Sequence, residues 1–496
     1  MLDFNRLRSG PDGWRGAFED LVRQLGRLQP PPNAIEFRHI HGAGGDGGIE
    51  AYWRLSGGNE HGYQAKFHTK PGDIDWGALD RSIETAISTH PNLVTIQVAI
   101  ACDLTDAVAG RRGRTAWQQW ETHRDRWCEL ARSAGRVVNF LFWGASEIEE
   151  MLAKSEAAGL RQYWFGEGVF TSDWLKKHFD STMAALDERF HPEDHVDVDT
   201  RSAFDGLRRN ALWRESLALH LSEILDQHVR GPEGDPTVEA KFTALATAVE
   251  TFRGLDADIQ LPAELPFPTQ TWIDVVSNVR DAAHAASQSL RSVQPSASAS
   301  GSTDVDYARH RISKLREALN KLDDTLRCPA KVADDARFAL FSGRAGSGKS
   351  HLLAAEVQKT LDDSEPAIML LGTDFSGAEP PAALIARRLD LSASTTQEEL
   401  LGMLDASAER AETRALIVID ALNEGGGARY WRDRLLPFVK AVFARPRLAL
   451  ALSCRTEYQD YLITEAIRER SVHVFVQGFV TAEEQENEVV PEIWTG

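Results

Sequence analysis

Two sets of residues in this chain have types and spacing that suit phosphate chemistry. The first is Gly343-Arg344-Ala345-Gly346-Ser347-Gly348-Lys349-Ser350, a G-x-x-x-x-G-K-S run. Its glycines let consecutive backbone N–H groups curl around phosphate oxygens with no Cβ in the way. Lys349 then reaches the β- and γ-phosphates of a nucleotide, and the Ser350 hydroxyl suits Mg²⁺. About 70 residues on, an apolar run ends in Asp420, an acid suited to the Mg²⁺ water shell. Glu424 follows it at the carboxyl end of the expected sheet, where a carboxylate polarises an attacking water.

The second set is Asp46, Gln64 and Lys66. In residues 63–67, alternation puts Tyr63, Ala65 and Phe67 on one face and Gln64 and Lys66 on the other. Asp46 lies in the glycine-rich loop 42–48 that enters the preceding strand, so pairing the two strands brings it toward Gln64 and Lys66. A carboxylate and an amide oxygen suit Mg²⁺ and a water beside a phosphodiester. The lysine suits the charge that develops there. The same residues also suit a glycine turn and a solvated strand lysine. Glu19, at the edge of an upstream helix stripe, is a further carboxylate able to look into such a site.

The elements that must position these groups follow from periodicity. Residues 14–28 read as a helix with Phe18, Leu21, Val22 and Leu25 on one stripe. Strands are expected over 34–39, 49–55, 62–68, 93–101 and 137–143, and helices over 76–88, 115–134 and 145–153. That order, αβββαβ and then αβα, describes a mixed sheet with helices on its faces. Residues 166–330 read as helical, over 203–229, 237–255, 271–291 and 307–326, with a Ser/Ala-rich linker near 292–303. The phosphate loop lies between an apolar strand, 338–341, and a good helix former. Further strands are expected over 367–371, 414–420, 448–453 and 472–476, with Arg455 just past the fourth.

At 496 residues the chain has room for roughly two to four domains. The expected division is 1–165, a helical coupling segment 166–330, a nucleotide-binding core 331–480, and an acidic tail 481–496. A net charge of −19 excludes a protein that simply coats nucleic acid, though not one with a local basic groove. The short basic run Arg111-Arg112-Gly113-Arg114 suits either a DNA backbone or a solvated loop. Four scattered cysteines and the pair His39 and His41 support neither a zinc site nor a disulfide frame, which fits a reducing cytoplasm. No apolar run of about 18 residues suggests a membrane span.

The run Gly45-Asp46-Gly47-Gly48-Ile49-Glu50, then Gln64-Ala65-Lys66, with Phe18-Glu19-Asp20-Leu21 upstream, resembles the Mrr-like branch of the PD-(D/E)XK nucleases. The resemblance covers roughly residues 12–150 and implies an α/β/α restriction-endonuclease-like domain. It implies Asp46 as metal ligand, Gln64 as an oxygen ligand in place of the commoner acid, Lys66 acting on the water, and Glu19 as an outer ligand.

Residues 420–424, Asp-Ala-Leu-Asn-Glu, followed by Leu452-Ser453-Cys454-Arg455, resemble the STAND signalling NTPases. There an arginine after the fourth strand senses the γ-phosphate, and Arg455 is the matching residue. Asn423 stands where many relatives carry a second acid, which implies slow hydrolysis. The two motif sets in one chain look like the AVAST antiviral proteins of bacteria. That resemblance implies an ATP- and Mg²⁺-dependent endonuclease acting on double-stranded DNA, assembling as a homo-oligomer on a phage protein trigger. The repeat array that recognises the trigger is missing, so the chain reads as truncated or completed by another chain. Two alternatives stay open: a restriction nuclease driven by an AAA+-type motor, and a nucleotide-dependent DNA-binding scaffold that does not cut.

Overall fold

The computed structural model describes residues 2–10, 12–40, 47–106, 114–166, 170–186, 202–291 and 301–476. Two compact units divide the chain: Met1–Thr171 with Ser394–Arg410, and Ser172–Ala393 with Ala411–Gly496. This differs from the expected linear division. Residues 394–410, expected inside the nucleotide-binding core, belong to the first unit.

In the first unit α1 (Gly13–Leu28) precedes a sheet of β1 (Ala34–His39), β2 (Ala51–Leu55), β3 (Glu60–Lys66), β4 (Leu93–Ile100) and β5 (Asn139–Trp143). The strands lie side by side in chain order. Pairings β1–β2 and β2–β3 are antiparallel, whereas β3–β4 and β4–β5 are parallel. Parallel neighbours need crossovers, supplied by α2 (Trp76–Thr89) and α3 (Ala116–Ser133). Asp75 caps α2 through Ala78 N at 2.9 Å, and Thr115 and Gln118 form a capping box on α3. Leu79 and Ile83 of α2 and Trp127 of α3 bury against Ile96, Val98 and Ile100 of β4. The other sheet face meets α1, whose stripe of Phe18, Leu21, Val22 and Leu25 is fully buried. The element order is therefore the one that periodicity describes.

In the second unit a fully parallel sheet holds β6 (Phe338–Gly343), β7 (Ala367–Leu371), β8 (Ala415–Asp420), β9 (Leu448–Arg455) and β10 (Val472–Phe475). Their order is β10-β6-β9-β8-β7. Strands β6, β7 and β8 are buried at every position, as a sheet covered on both faces requires. The helices Ala211–Leu225, Pro236–Glu250, Thr269–Ser289 and Gly301–Arg327 enclose a separate core that includes Trp213, Phe242, Trp272 and Leu319.

The helix expected over 203–229 is broken into Ser202–Arg208 and Ala211–Leu225. Arg209 turns to a left-handed φ of 50°, and the Asn210 side chain caps the new helix by accepting from Trp213 N at 3.0 Å. Of the expected linker, 301–303 form the first turn of the Gly301–Arg327 helix. Residues 292–300 and the tail 481–496 lie outside the described residues. Among the described residues no helix is long and apolar enough to cross a membrane.

Candidate functional sites

The phosphate loop leaves β6 at Gly343 and enters the Lys349–Asp362 helix. Gly346 and Gly348 take φ values of 78° and 83°, which side chains rarely adopt, and a Cβ at either would point into open space. Arg344, Ala345 and Gly346 are exposed at the loop's crest, whereas Lys349 is buried beneath it. The Lys349 ammonium donates to Gly343 O at 2.8 Å, Arg344 O at 2.7 Å and Ser347 Oγ at 3.2 Å. Burial lowers its pKa, and the Asp420 charge opposes that shift.

The sheet inserts β9 between β6 and β8, the strand that ends in Asp420. This brings Arg455 into register with Gly343. It also lets Ser453 of β9 tie the two ends together, by donating to Asp420 and accepting from Ala421 N at 2.8 Å. Asp420 is 2% exposed. Burial raises its pKa, while hydrogen bonds with Ser350 and Ser453 hold it down.

Arg455 Nη2 lies 3.7 Å from Glu424 Oε1, at a half-open rim. Asn423 has a structural role there, accepting from Arg455 N at 3.0 Å. A buried acid touching the loop hydroxyl, an ammonium folded into the loop, and an arginine with a carboxylate at the rim form a donor set that fits a nucleotide triphosphate with Mg²⁺.

In the first unit Gln64 and Lys66 share the β3 face toward α2 and α3, and both are buried. Asp46 lies outside the described residues. The carboxylate found at Gln64 is Glu50, which the sequence reading quoted without assigning a role. Gln64 Nε2 donates to Glu50 Oε1 at 2.6 Å, and Ala65 N donates to Glu50 Oε2 at 3.1 Å. Register could have found it: Ala51 pairs with Tyr63 in an antiparallel ladder, so Glu50 falls opposite Gln64. Gly48 (φ 88°) lets the entering loop lie directly on α2, where a Cβ would come 2.2 Å from Ser82 O.

Gln64 Oε1 is buried without a hydrogen-bond partner among the described residues. An orphaned amide oxygen beside a buried carboxylate fits a hard divalent cation. Among the described residues no group of three or more His, Cys, Asp and Glu gathers as a metal site, so the donors here are one acid and one amide.

Glu19 is not brought to this face. Helix α1 covers the Tyr63 and Phe67 side, where Phe18 meets Phe67, and Glu19 accepts from Arg15 Nε at 2.9 Å. His39 contacts the Arg23 guanidinium, and its expected companion His41 lies outside the described residues. Of the basic run, Arg114 donates to Thr122 Oγ1 at 3.4 Å, and 111–113 are likewise outside.

No family model and no curated protein matches the chain. A solved structure of C. elegans PCH-2 is similar over 30% of this chain and 37% of that one, at 17% identity and a TM-score of 0.20. This chain therefore spans little more than a third of that protein's length, a likeness too slight to bear on function.

Proposed function

We propose that this chain is an ATP-regulated, Mg²⁺-dependent DNA endonuclease of a bacterial antiphage system, with cutting gated by assembly of its nucleotide-binding units. The observation that carries the nuclease reading is the buried Gln64 Oε1, unpartnered among the described residues, beside Glu50 and Lys66. Glu50 and Gln64, with Asp46 from the entering loop, would hold the metal. When bound there, Mg²⁺ supplies Lewis-acid charge and lowers the pKa of water. Glu50 is kept in place by Gln64 Nε2 and Ala65 N, which leaves its carboxylate little freedom to turn away. The Lys66 ammonium, on the same face as Gln64, neutralises charge on the phosphate oxygens as it develops.

At the second site Lys349, Ser350 and Asp420 would hold the triphosphate and its Mg²⁺, which organises the phosphate oxygens for attack. Glu424 orients the attacking water, and Arg455 reads the terminal phosphate. The antiviral resemblance of the two motif sets supports a cytoplasmic setting, double-stranded DNA as substrate and a homo-oligomer as the active form.

Supercoiled plasmid incubated with the chain, Mg²⁺ and ATP, with and without lysate of infected cells, tests this reading. Cleavage that requires both Lys66 and Lys349 supports it. Retention of DNA without cutting, unchanged by Lys66→Ala, would assign a nucleotide-dependent binding scaffold instead.

A further inference from the structure

The Gln397–Arg410 helix lies, in the chain, between β7 and β8 of the nucleotide-binding sheet, yet it is part of the first unit. It is buried almost without break from Leu400 to Glu409. The Glu409 carboxylate sits 3.3 Å from Arg23 Nε and 3.1 Å from Arg27 Nη2, both on α1. Gln24 of α1 donates to Ala406 O at 3.3 Å, and the Arg410 guanidinium stands over the Trp164 ring. Helix α1 in turn holds the β2–β3 pair, because Gly26 O accepts from Trp53 Nε1 at 2.9 Å and from the Tyr63 hydroxyl at 3.4 Å. Tyr63 adjoins Gln64 on β3.

The return of the chain is equally fixed at its far end. Arg414 is 2% exposed and pairs with Asp334 at 2.9 Å. It also donates from Nε to Ala263 O at 3.0 Å and from its backbone N to Arg208 O at 2.9 Å. Only residues 410–413 separate Glu409 from Arg414, and four residues reach at most about 14 Å. Strand β8 begins at the next residue and ends in Asp420, which hydrogen-bonds the Ser350 hydroxyl.

We propose that the Gln397–Arg410 helix couples nucleotide at the phosphate loop to the unit that holds Glu50, Gln64 and Lys66. The proposal rests on the nucleotide reading of that loop. Asp420, at one end of β8, and Ser350 would hold the metal and phosphate, so their binding would act on that end. Its other end is tied by a short tether to a helix whose buried carboxylate clamps α1. A displacement of β8 therefore has a covalent path to that helix, from there an ion-paired path to α1, and a hydrogen-bonded one on to β3.

Hydrogen exchange on the full chain, with and without Mg²⁺ and ATP, tests this beside direct retention of labelled ATP. ATP should change exchange in 13–28 and 397–410 by about fivefold or more, the low end of typical coupling. Three glycines inserted between Arg410 and Ala411 leave both anchors intact; ATP should still bind, and the change in 13–28 should vanish. If the insertion unfolds the chain, Glu409→Gln gives the same comparison. Bound ATP with unchanged exchange in 13–28 overturns the coupling alone, as does a change that survives the insertion. Absence of ATP retention overturns the nucleotide reading and the coupling with it.

Discussion

Glu50 and Gln64 face each other at the β2–β3 pair, with Gln64 Nε2 donating to Glu50 Oε1 at 2.6 Å inside a buried site. The neutral amide donates a hydrogen bond to that carboxylate, which a second, ionised carboxylate could not do. Gln64→Glu, which a comparison of motifs would make innocuous, instead sets two buried carboxylates against each other. It should destabilise the metal-free chain by roughly 2–4 kcal/mol, with Mg²⁺ restoring most of the loss. Thermal melting with and without Mg²⁺ checks this. An unchanged midpoint in the absence of metal would contradict the geometry of the pair.

At the phosphate loop, Lys349→Ala should abolish retention of labelled ATP. Glu424→Gln should leave binding intact and slow turnover about a hundredfold, the loss expected when a water-orienting base is removed. Faster turnover in that variant would remove Glu424 from the role.

A pH dependence follows from Glu365, whose carboxyl is pushed up to about 7 by burial, against the lowering influence of Arg208. The unfolded chain releases this proton near the ordinary value of 4.5, while the folded chain keeps it to about 7. Between those values the folded state binds more protons, so stability falls as pH rises and the loss is complete above the folded value. The contribution is at most about 3 kcal/mol. Urea midpoints of the parent should therefore fall between about pH 5 and about pH 8, and Glu365→Gln should flatten that slope. Parallel profiles would contradict it.

The first unit should be sensitive where the 397–410 helix meets its own helices. A Cβ added at Gly159 would come 2.5 Å from Gly402 Cα, backbone that cannot step aside. Gly159→Ala should cost about 1–3 kcal/mol, read as a lower urea midpoint. A neutral substitution would mean that the two backbones are not in close contact.

The strand, glycine loop and helix around 343–350 were legible because their signal is local: eight consecutive residues carry the glycines, the lysine and the serine. Glu50 was harder. Which acid faces Gln64 depends on the strand register, and a shift of one residue turns every side chain to the other face. Glu19 was misplaced for a related reason, since a helix stripe shows which side is buried but not which sheet face it covers. The break at Arg209 needed a left-handed arginine, which helical periodicity cannot signal. The Arg23–Glu409 pair joins residues 386 apart, so no window of sequence contains it.

The account stands most directly on the cutting of supercoiled plasmid at saturating Mg²⁺ and ATP, with infected-cell lysate present, by the parent, Glu50→Ala and Lys66→Ala. The parent should yield nicked and linear DNA, and each variant should be slower by about a hundredfold or more. Equal cutting by all three, or intact plasmid from the parent under every condition, would contradict it.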